Sequence, residues 1–353
     1  MAIYYLIYVL ILISYFICLQ HNLFIKPFFI IFCIVLVLFA GLRGMDVSRD
    51  MYNYVLVFDN ANAYTDNTLF SMEPMAKIIP VTLKYLHIYY YWSVFLCFAI
   101  LSVPLKFRAI LKYSPLPMVS VLLFFSYFYL LQDFTQIRAA VAAAILLWSI
   151  DDVINKKIIN FILKIAIAVL FHFSAVAIFP LYFFSLKRLN KYKYATLLII
   201  CFIIGALRVN LLAFIPFVSQ IGRNVDMYTA LTNAADVATS GVVTVTNIIY
   251  LAICMLFILL IDTLQTKDQF SILFVKLLTY SLCIMFVLNP FSVAIAGRFF
   301  ELIACSTIIS FMYFIYLIKP KYIGVSISIL LSLYFFSLYV FRLPIVSSYF
   351  FNF

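Results

Sequence analysis

Charged side chains are scarce in this sequence: only 10% of its 353 residues are Asp, Glu, Lys or Arg. By contrast, 67% are hydrophobic, and the mean hydropathy of +1.16 lies far above that of a soluble globular chain. Apolar runs of membrane-spanning length recur as far as the C-terminus, which a single cleavable signal peptide does not explain. The sequence therefore predicts an all-α fold, a polytopic bundle of transmembrane helices.

Residues that bind metals or form disulfides are also few. The seven cysteines lie in apolar runs without close pairing, as small core residues do, and the three histidines lack metal-ligand spacing. We therefore expect no metal and no cofactor. The formal net charge of +11 is typical of cytoplasmic loops rich in Lys and Arg, so we expect a lipid bilayer and no nucleic acid as partner.

About twelve spans are predicted, at ~20 residues per crossing with shorter ones at tight turns. They form a single transmembrane domain over residues 1–353, with two long loops at 41–88 and 208–245. The predicted spans are Ala2–Leu19, Phe28–Ala40, Tyr89–Leu105, Leu116–Leu131, Phe134–Ile150, Ile158–Leu170, Ser174–Leu186, Ala195–Leu207, Thr246–Ile261, Phe270–Leu288, Arg298–Leu317 and Tyr322–Phe341.

Lysine and arginine fall on opposite sides of this predicted topology. Most lysines, Lys106 and Lys112 among them, lie in alternate connections, which are therefore cytoplasmic and leave both long loops and both termini outside. Because a guanidinium binds carboxylate and phosphate oxygens with a planar fork, arginines outside indicate an outward site for an anionic ligand. Pairing with nearby acids or lipid headgroups is the alternative. Seven of the nine arginines lie at outer positions: Arg43, Arg49, Arg138, Arg208, Arg223, Arg298 and Arg342.

The first outer loop opens with GLRGMDVSRDMYNYVLVFDNAN, where Arg43, Asp46, Arg49 and Asp50 crowd together after an uncharged run. We expect local pairing of these charges to hold the shape of the segment, which would form one wall of the outward site. Further along the loop, Phe70–His87 predicts a short interfacial helix with Pro74 in its first turn, and Glu73 before it can lean toward the helix start.

Three further segments carry candidate site residues. Asp133 and Arg138 lie at the outer start of a helix, where an anion would meet Arg138 and the helix dipole; an Asp133–Arg138 pair is the alternative. His172 lies at a tight outer turn, as a general base or as a hydrogen-bonded structural residue. Arg298 and Glu301 lie one turn apart within a span, where charges usually carry function, and their spacing permits an ion pair.

These motifs, in this order, resemble those of the EpsG/Wzy group of bacterial polysaccharide polymerases. The resemblance covers nearly the whole chain. At Ala139 the family commonly has Gln, which argues against a side-chain amide role there. The matching motifs are GLR…D..NY...F within Gly41–Phe58, EP at Glu73–Pro74, IRAAVA at Ile137–Ala142, HFSA at His172–Ala175 and R..E at Arg298–Glu301.

The resemblance implies a GT-C-like membrane glycosyltransferase in the bacterial inner membrane, with its active site facing the periplasm. Such enzymes transfer a growing glycan from undecaprenyl pyrophosphate to the non-reducing end of a lipid-linked repeat unit, in O-antigen or exopolysaccharide synthesis. Its partners would be undecaprenyl-pyrophosphate-linked oligosaccharides and, as a further possibility, a chain-length-regulating co-polymerase.

The same resemblance implies roles for the candidate residues. Arg138 and Arg298 would stabilise the charge that develops on the pyrophosphate, and His172 would act as base with Asp50 in reserve. The residues expected to bind substrate are Arg43, Arg49, Tyr54, Glu73, Asp133, Arg223 and Glu301. A glycan ligase uses the same donor and stays an alternative, as do a membrane acyltransferase and a lipid-linked-oligosaccharide flippase or other transporter; a transporter, however, is expected to show mid-span charges and internal repeats.

Overall fold

The computed structural model describes residues 1–48, 50–61, 73–184, 186–214, 241–343 and 345–351. Over these residues the chain is helical, apart from isolated antiparallel bridges that join Arg43 to Phe351 and Ser48 to Val346. The all-α prediction is confirmed. The described α-helices are α1 (Ala2–Gln20), α2 (Ile25–Gly41), α3 (Met51–Asp59), α4 (Pro74–Tyr85), α5 (Trp92–Tyr113), α6 (Pro117–Phe124), α7 (Ile137–Ile154), α8 (Ile158–Phe171), α9 (Lys191–Ala206), α10 (Val245–Leu259), α11 (Ile261–Lys267), α12 (Ser271–Leu288), α13 (Val293–Ala304), α14 (Thr307–Ser310), α15 (Phe314–Leu317) and α16 (Lys321–Ser337).

Several of these helices are built to cross a membrane. In the part of the chain that the structure describes, 5 helices are long and apolar enough, or up to 7 if each of two bent pairs is one span. The five are Ala2–Gln20, Asn22–Gly41, Trp92–Tyr113, Ser271–Leu288 and Lys321–Arg342. The chain is therefore a multi-pass membrane protein. The remaining predicted spans are shorter helices, such as Ile158–Phe171, or carry three charges, as α7 does with Arg138, Asp151 and Asp152.

The chain folds into two compact units, Met1–Tyr182 with Phe311–Phe353 and Phe183–Ser310. In the first unit, α5 packs against α2 and α7, and α7 packs against α8. The alanines at positions 139, 140 and 142–144 of α7 are all buried, because small side chains let neighbouring helices approach closely. In the second unit, α12 packs against α9, α10 and α13.

Two glycines of the GLRG sequence allow close approaches in the first unit. A Cβ atom on Gly41 would lie 2.8 Å from the Cα atom of Leu96, so this position brings α2 against the backbone of α5. A Cβ atom on Gly44 would overlap the ring of Phe350. Only 7 residues of the chain are glycine, so two glycines in one short sequence indicate a requirement for close packing there.

The C-terminal segment 345–351 lies along the loop that follows α2. The Gly44 N–H donates to the Phe350 carbonyl at 2.8 Å, and the Ser347 N–H donates to the Val47 carbonyl at 3.0 Å. The ring of Tyr349 stacks on that of Phe39, with 4.1 Å between centroids. Sequence patterns did not predict this pairing, which fixes the loop from one side.

An ion pair is buried beside the start of α7. The Lys106 ammonium donates to Oδ2 of Asp133 at 2.6 Å, and the Ser102 hydroxyl donates to Oδ1. Both ionic side chains are fully buried. Two expectations are therefore wrong: Lys106 lies inside α5 and not in a connection after it, and Asp133 pairs with Lys106 and not with Arg138.

Candidate active site

Glu73 connects Arg138 and His172 in the first unit. One carboxylate oxygen of Glu73, Oε1, lies 2.8 Å from Nδ1 of His172, and the other, Oε2, accepts a hydrogen bond from the Arg138 guanidinium. Nε of Arg138 in turn donates to the hydroxyl of Tyr54 at 3.3 Å. The structure thus brings together four residues that lie in four separate sequence motifs.

Local backbone structure explains why Glu73 is available for these contacts. Pro74 occupies the first turn of α4, as predicted, and Glu73 before it is extended, with φ −61° and ψ 138°. Its carboxylate makes no capping hydrogen bond to α4. Glu73 occupies the position before α4, and its carboxylate is taken up by charged hydrogen bonds with Arg138 and His172.

His172 ends α8, where the main chain turns into the 3-10 helix Phe173–Phe183. Its N–H donates to the Ala168 carbonyl at 2.9 Å, which completes the last turn of α8. The residue is only 7% exposed, and Nε2 has no hydrogen-bond partner in the described structure. A buried imidazole nitrogen without a partner is uncommon, and it marks a position where a ligand proton can be accepted.

The protonation of Glu73 decides which nitrogen of His172 carries hydrogen. Burial opposes ionisation of this carboxyl, but the hydrogen bond from His172 and the charge of Arg138 outweigh it and lower its pKa to about 2. An ionised carboxylate only accepts hydrogen bonds, so Nδ1 of His172 must carry the hydrogen. In the neutral imidazole, Nε2 is then the nitrogen with the free lone pair.

Tyr54 and Asp50 complete the surroundings of Arg138. Burial raises the pKa of Tyr54, Arg138 lowers it, and the negative charge of Asp50 raises it again. Asp50 directly precedes α3, so its carboxylate acts on Tyr54 from the start of that helix. The role of Asp50 as a reserve base stays a prediction.

Arg43 is enclosed by protein. Its guanidinium donates to the Ala40 carbonyl and, at 2.9 Å, to the Phe134 carbonyl, and its Cζ lies 4.2 Å from the ring centroid of Phe95. The local charge pairing expected for this segment does not hold for Arg43, whose acceptors are main-chain oxygens at the end of α2 and before α7. Burial lowers the pKa of Arg43 to about 10. With 0% exposure, the residue is placed to hold these chain segments together, and its contact with substrate stays a prediction.

The other candidate residues lie elsewhere. Arg298, which is exposed, and Glu301, which is partly exposed, lie on α13 in the second unit. Arg49 and Arg223 lie outside the described residues. Asp133 is buried against Lys106. Within the described ranges, no group of three His, Cys, Asp or Glu side chains could hold a metal ion.

The sequence analysis named all four residues of this network, Tyr54, Glu73, Arg138 and His172, but did not predict the contacts between them. Glu73 was expected to touch substrate, whereas its carboxylate binds two other candidate residues. Glu73 and His172 stand 99 positions apart, so no helical periodicity could relate them. The sequence feature that related these residues was that their motifs all lay on the same predicted side of the membrane.

Fold and site define a class: an all-helical, multi-pass membrane protein with an Arg–Glu–His network in one of its two compact units. The chain belongs to the EpsG family, whose sequence model matches residues 26–353. It is also similar to the amylovoran biosynthesis protein AmsC of Erwinia amylovora, with 25% identity over 180 residues. That match covers 48% of each chain, so the chain spans about half the length of this curated relative. No solved structure matches.

Proposed function

We propose that this chain is a polysaccharide polymerase, a glycosyltransferase that elongates a lipid-linked glycan. The growing glycan would leave undecaprenyl pyrophosphate and join the non-reducing end of a lipid-linked repeat unit. Membership of the EpsG family supports a role in polysaccharide synthesis, and the similarity to a protein of amylovoran biosynthesis points the same way.

The observation that carries the proposal is the unpartnered Nε2 of His172. The acceptor hydroxyl oxygen attacks the anomeric carbon of the growing glycan and forms the new glycosidic bond. The bond from that carbon to the pyrophosphate oxygen breaks, and its electron pair stays with the lipid pyrophosphate. The hydroxyl proton passes to Nε2 of His172, which is buried and has no partner in the described structure.

The leaving pyrophosphate needs positive charge near the oxygen on which electrons accumulate. Arg138 is suited to this role because its side chain is 25% exposed, whereas Arg43 is fully buried. We propose Arg298 as a second cation. Arg43, Arg49, Arg223, Asp133 and Glu301 would support substrate binding.

The proposed reaction requires access from outside the cell. We therefore propose that the chain spans the bacterial inner membrane about twelve times in a GT-C-like arrangement, with the ends of α2 and α8 and the start of α7 at the outer face. The short apolar helices Ile158–Phe171 and Phe173–Phe183 would supply further crossings. A chain-length-regulating protein is a proposed partner.

The glycolipid profile of a deletion strain tests the proposed reaction. A polymerase defect leaves single repeat units as the only glycan attached to the final acceptor. If the chain were a ligase, finished polymer would accumulate on its carrier and the acceptor would stay bare. If it were a flippase, single units would accumulate on the cytoplasmic leaflet. Either of the last two profiles would overturn the proposal.

A further inference from the structure

We propose that Glu73 is a positioning residue for His172: its carboxylate fixes the imidazole with hydrogen on Nδ1, so that Nε2 is the proton acceptor. The inference rests on the proposed function, because it assigns Glu73 a role in the same transfer step. It also changes the sequence-based role of Glu73 from binding substrate to orienting the base.

The geometry of the carboxylate is the first argument. Each oxygen of Glu73 serves a different neighbour, Oε1 facing Nδ1 of His172 at 2.8 Å and Oε2 accepting from Arg138. A carboxylate bound through both oxygens cannot rotate without losing one of two charge-assisted bonds. The orientation of the imidazole is therefore set by a group that is itself fixed.

The second argument is that Arg138, which binds the carboxylate, is itself positioned by a further hydrogen bond. Nε of Arg138 donates to the Tyr54 hydroxyl at 3.3 Å, and Tyr54 is buried in α3. The elements that carry the four side chains are in contact, since α4 packs against both α3 and α8, and α7 packs against α8. The imidazole is thus positioned by packed helices and not by one mobile loop.

The third argument concerns the charge that the reaction creates. When Nε2 accepts a proton, the imidazole becomes a cation with hydrogen on both nitrogens. The Glu73 carboxylate then faces that cation across the Nδ1 hydrogen bond and stabilises it. Removing the negative charge should therefore slow proton transfer to Nε2.

Other charged groups lie on the helices around His172, so the test must isolate the effect of Glu73. Lys77 is buried on α4, the helix that Glu73 precedes, and Asp50 acts electrostatically on Tyr54 and Arg138. The helices packed against α8 also carry Lys84 on α4 and, on α7, Asp151 and Asp152, the latter paired with Lys164 of α8. A variant of Glu73 leaves all of these groups unchanged, so a change that it causes at His172 is assigned to its carboxylate.

The experiment follows the His172 ring directly in the full chain, reconstituted in lipid nanodiscs and labelled with 15N-histidine. The chain has three histidines, so variants of His21 and His87 assign the remaining signals to His172. In the neutral ring of the wild type, hydrogen should sit on Nδ1 and Nε2 should be bare. In Glu73→Gln the neutral ring should show a mixture of the two tautomers, because the amide can either donate to Nδ1 or accept from it.

Two variants keep this test independent of folding. Glu73→Asp retains the carboxylate on a shorter side chain and should restore most of the form with hydrogen on Nδ1, whereas Asp262→Asn removes an exposed carboxylate paired with Lys191 and should change nothing at His172. An unchanged tautomer of His172 in Glu73→Gln would overturn the positioning role.

Transfer kinetics separate this proposal from the proposed function. Glu73→Gln should lower kcat about tenfold or more with little change in KM for the lipid-linked acceptor. If the wild type elongates glycolipids but the tautomer of His172 is unchanged in Glu73→Gln, only the positioning role fails. If the tautomer changes but the wild type elongates no glycolipid, the proposed function fails and the Glu73–His172 coupling stands.

Discussion

Oε1 of Glu73 lies 2.8 Å from Nδ1 of His172, across 99 positions of sequence. Because Oε2 of the same carboxylate binds Arg138, one acidic side chain joins the proposed base to the proposed cation. The two roles are therefore coupled, and a substitution of Arg138 or of His172 should alter the function of the other residue.

Replacing His172 should stop elongation. His172→Gln removes the proposed proton acceptor, and general-base catalysis typically contributes about 10²–10⁴-fold to a rate. We expect long glycans to disappear from the glycolipid profile while the protein is still produced. His87→Gln is the matched control, since His87 is exposed and its ring shares a hydrogen bond with the hydroxyl of Tyr89 and not with the proposed site. Wild-type polymerisation by His172→Gln would remove the base from the mechanism.

Replacing Arg138 by lysine should keep the charge but lose the planar fork that binds Glu73 and Tyr54 together. We expect at least about a tenfold loss of transfer and loss of long chains. Arg108→Lys is the control, because Arg108 is half exposed in a surface pair with Asp151. Arg298→Lys tests the second proposed cation, and normal chain length in both Arg138→Lys and Arg298→Lys would contradict the pyrophosphate assignment.

The stability that Glu73 contributes should depend on pH in a defined direction. Its pKa is lowered in the folded protein from an ordinary value of 4.5 to about 2. The contribution of the ionised group is therefore complete above pH 4.5 and is lost as the pH falls toward 2. The difference in melting temperature between wild type and Glu73→Gln should stay constant from about pH 8 to pH 5 and narrow below that. Narrowing already between about pH 8 and pH 6 would show that Glu73 titrates there.

Gly41→Ala should destabilise the first unit. The new Cβ would lie 2.8 Å from the Leu96 Cα, so α2 and α5 must separate, at a cost of about 1–3 kcal/mol in unfolding free energy. Gly297→Ala is the control, because a Cβ there meets nothing within 4 Å in the described structure and should stabilise α13 by up to about 1 kcal/mol. Equal melting temperatures for the two variants would refute the close approach.

The buried Lys106–Asp133 ion pair should stabilise the fold only when both charges are present. Asp133→Asn leaves the Lys106 ammonium buried without its carboxylate, which typically costs about 3–5 kcal/mol. The double variant Lys106→Met/Asp133→Leu removes both charges and should recover most of that loss in a thermal unfolding experiment. Equal destabilisation by the single and double variants would argue against the pairing. A stable double variant without transfer activity would instead support the predicted contact of Asp133 with substrate.

Composition and local motifs predicted the parts of this structure that depend on neighbours in sequence. Hydropathy indicated a helical membrane protein, Pro74 indicated the start of α4, and the turn at His172 lies at the end of α8 as expected. Span length was harder, because α2 extends beyond the predicted Phe28–Ala40 and α8 is only 14 residues long.

Contacts between distant segments could not be predicted, since one sequence carries no record of which charged residues meet. Arg43 was expected to line one wall of the outward site and is instead enclosed by carbonyl oxygens and aromatic rings. Lys106 was expected in a connection because lysine usually marks a loop, yet it lies within α5, where its ammonium donates to Asp133 and Gln132. The scarcity of charged residues indicated which side chains to examine, because a buried charge in an apolar chain must have a partner.

The most direct test of the account is elongation by the purified chain in nanodiscs, supplied only with undecaprenyl-pyrophosphate-linked repeat units of its own host. Separation of the products by length is the measurement. The account predicts a ladder of lengthening glycans and free undecaprenyl pyrophosphate for the wild type and the His87→Gln control, and single units alone for His172→Gln. A wild type that leaves only single units, or a ladder of normal length from His172→Gln, would contradict it.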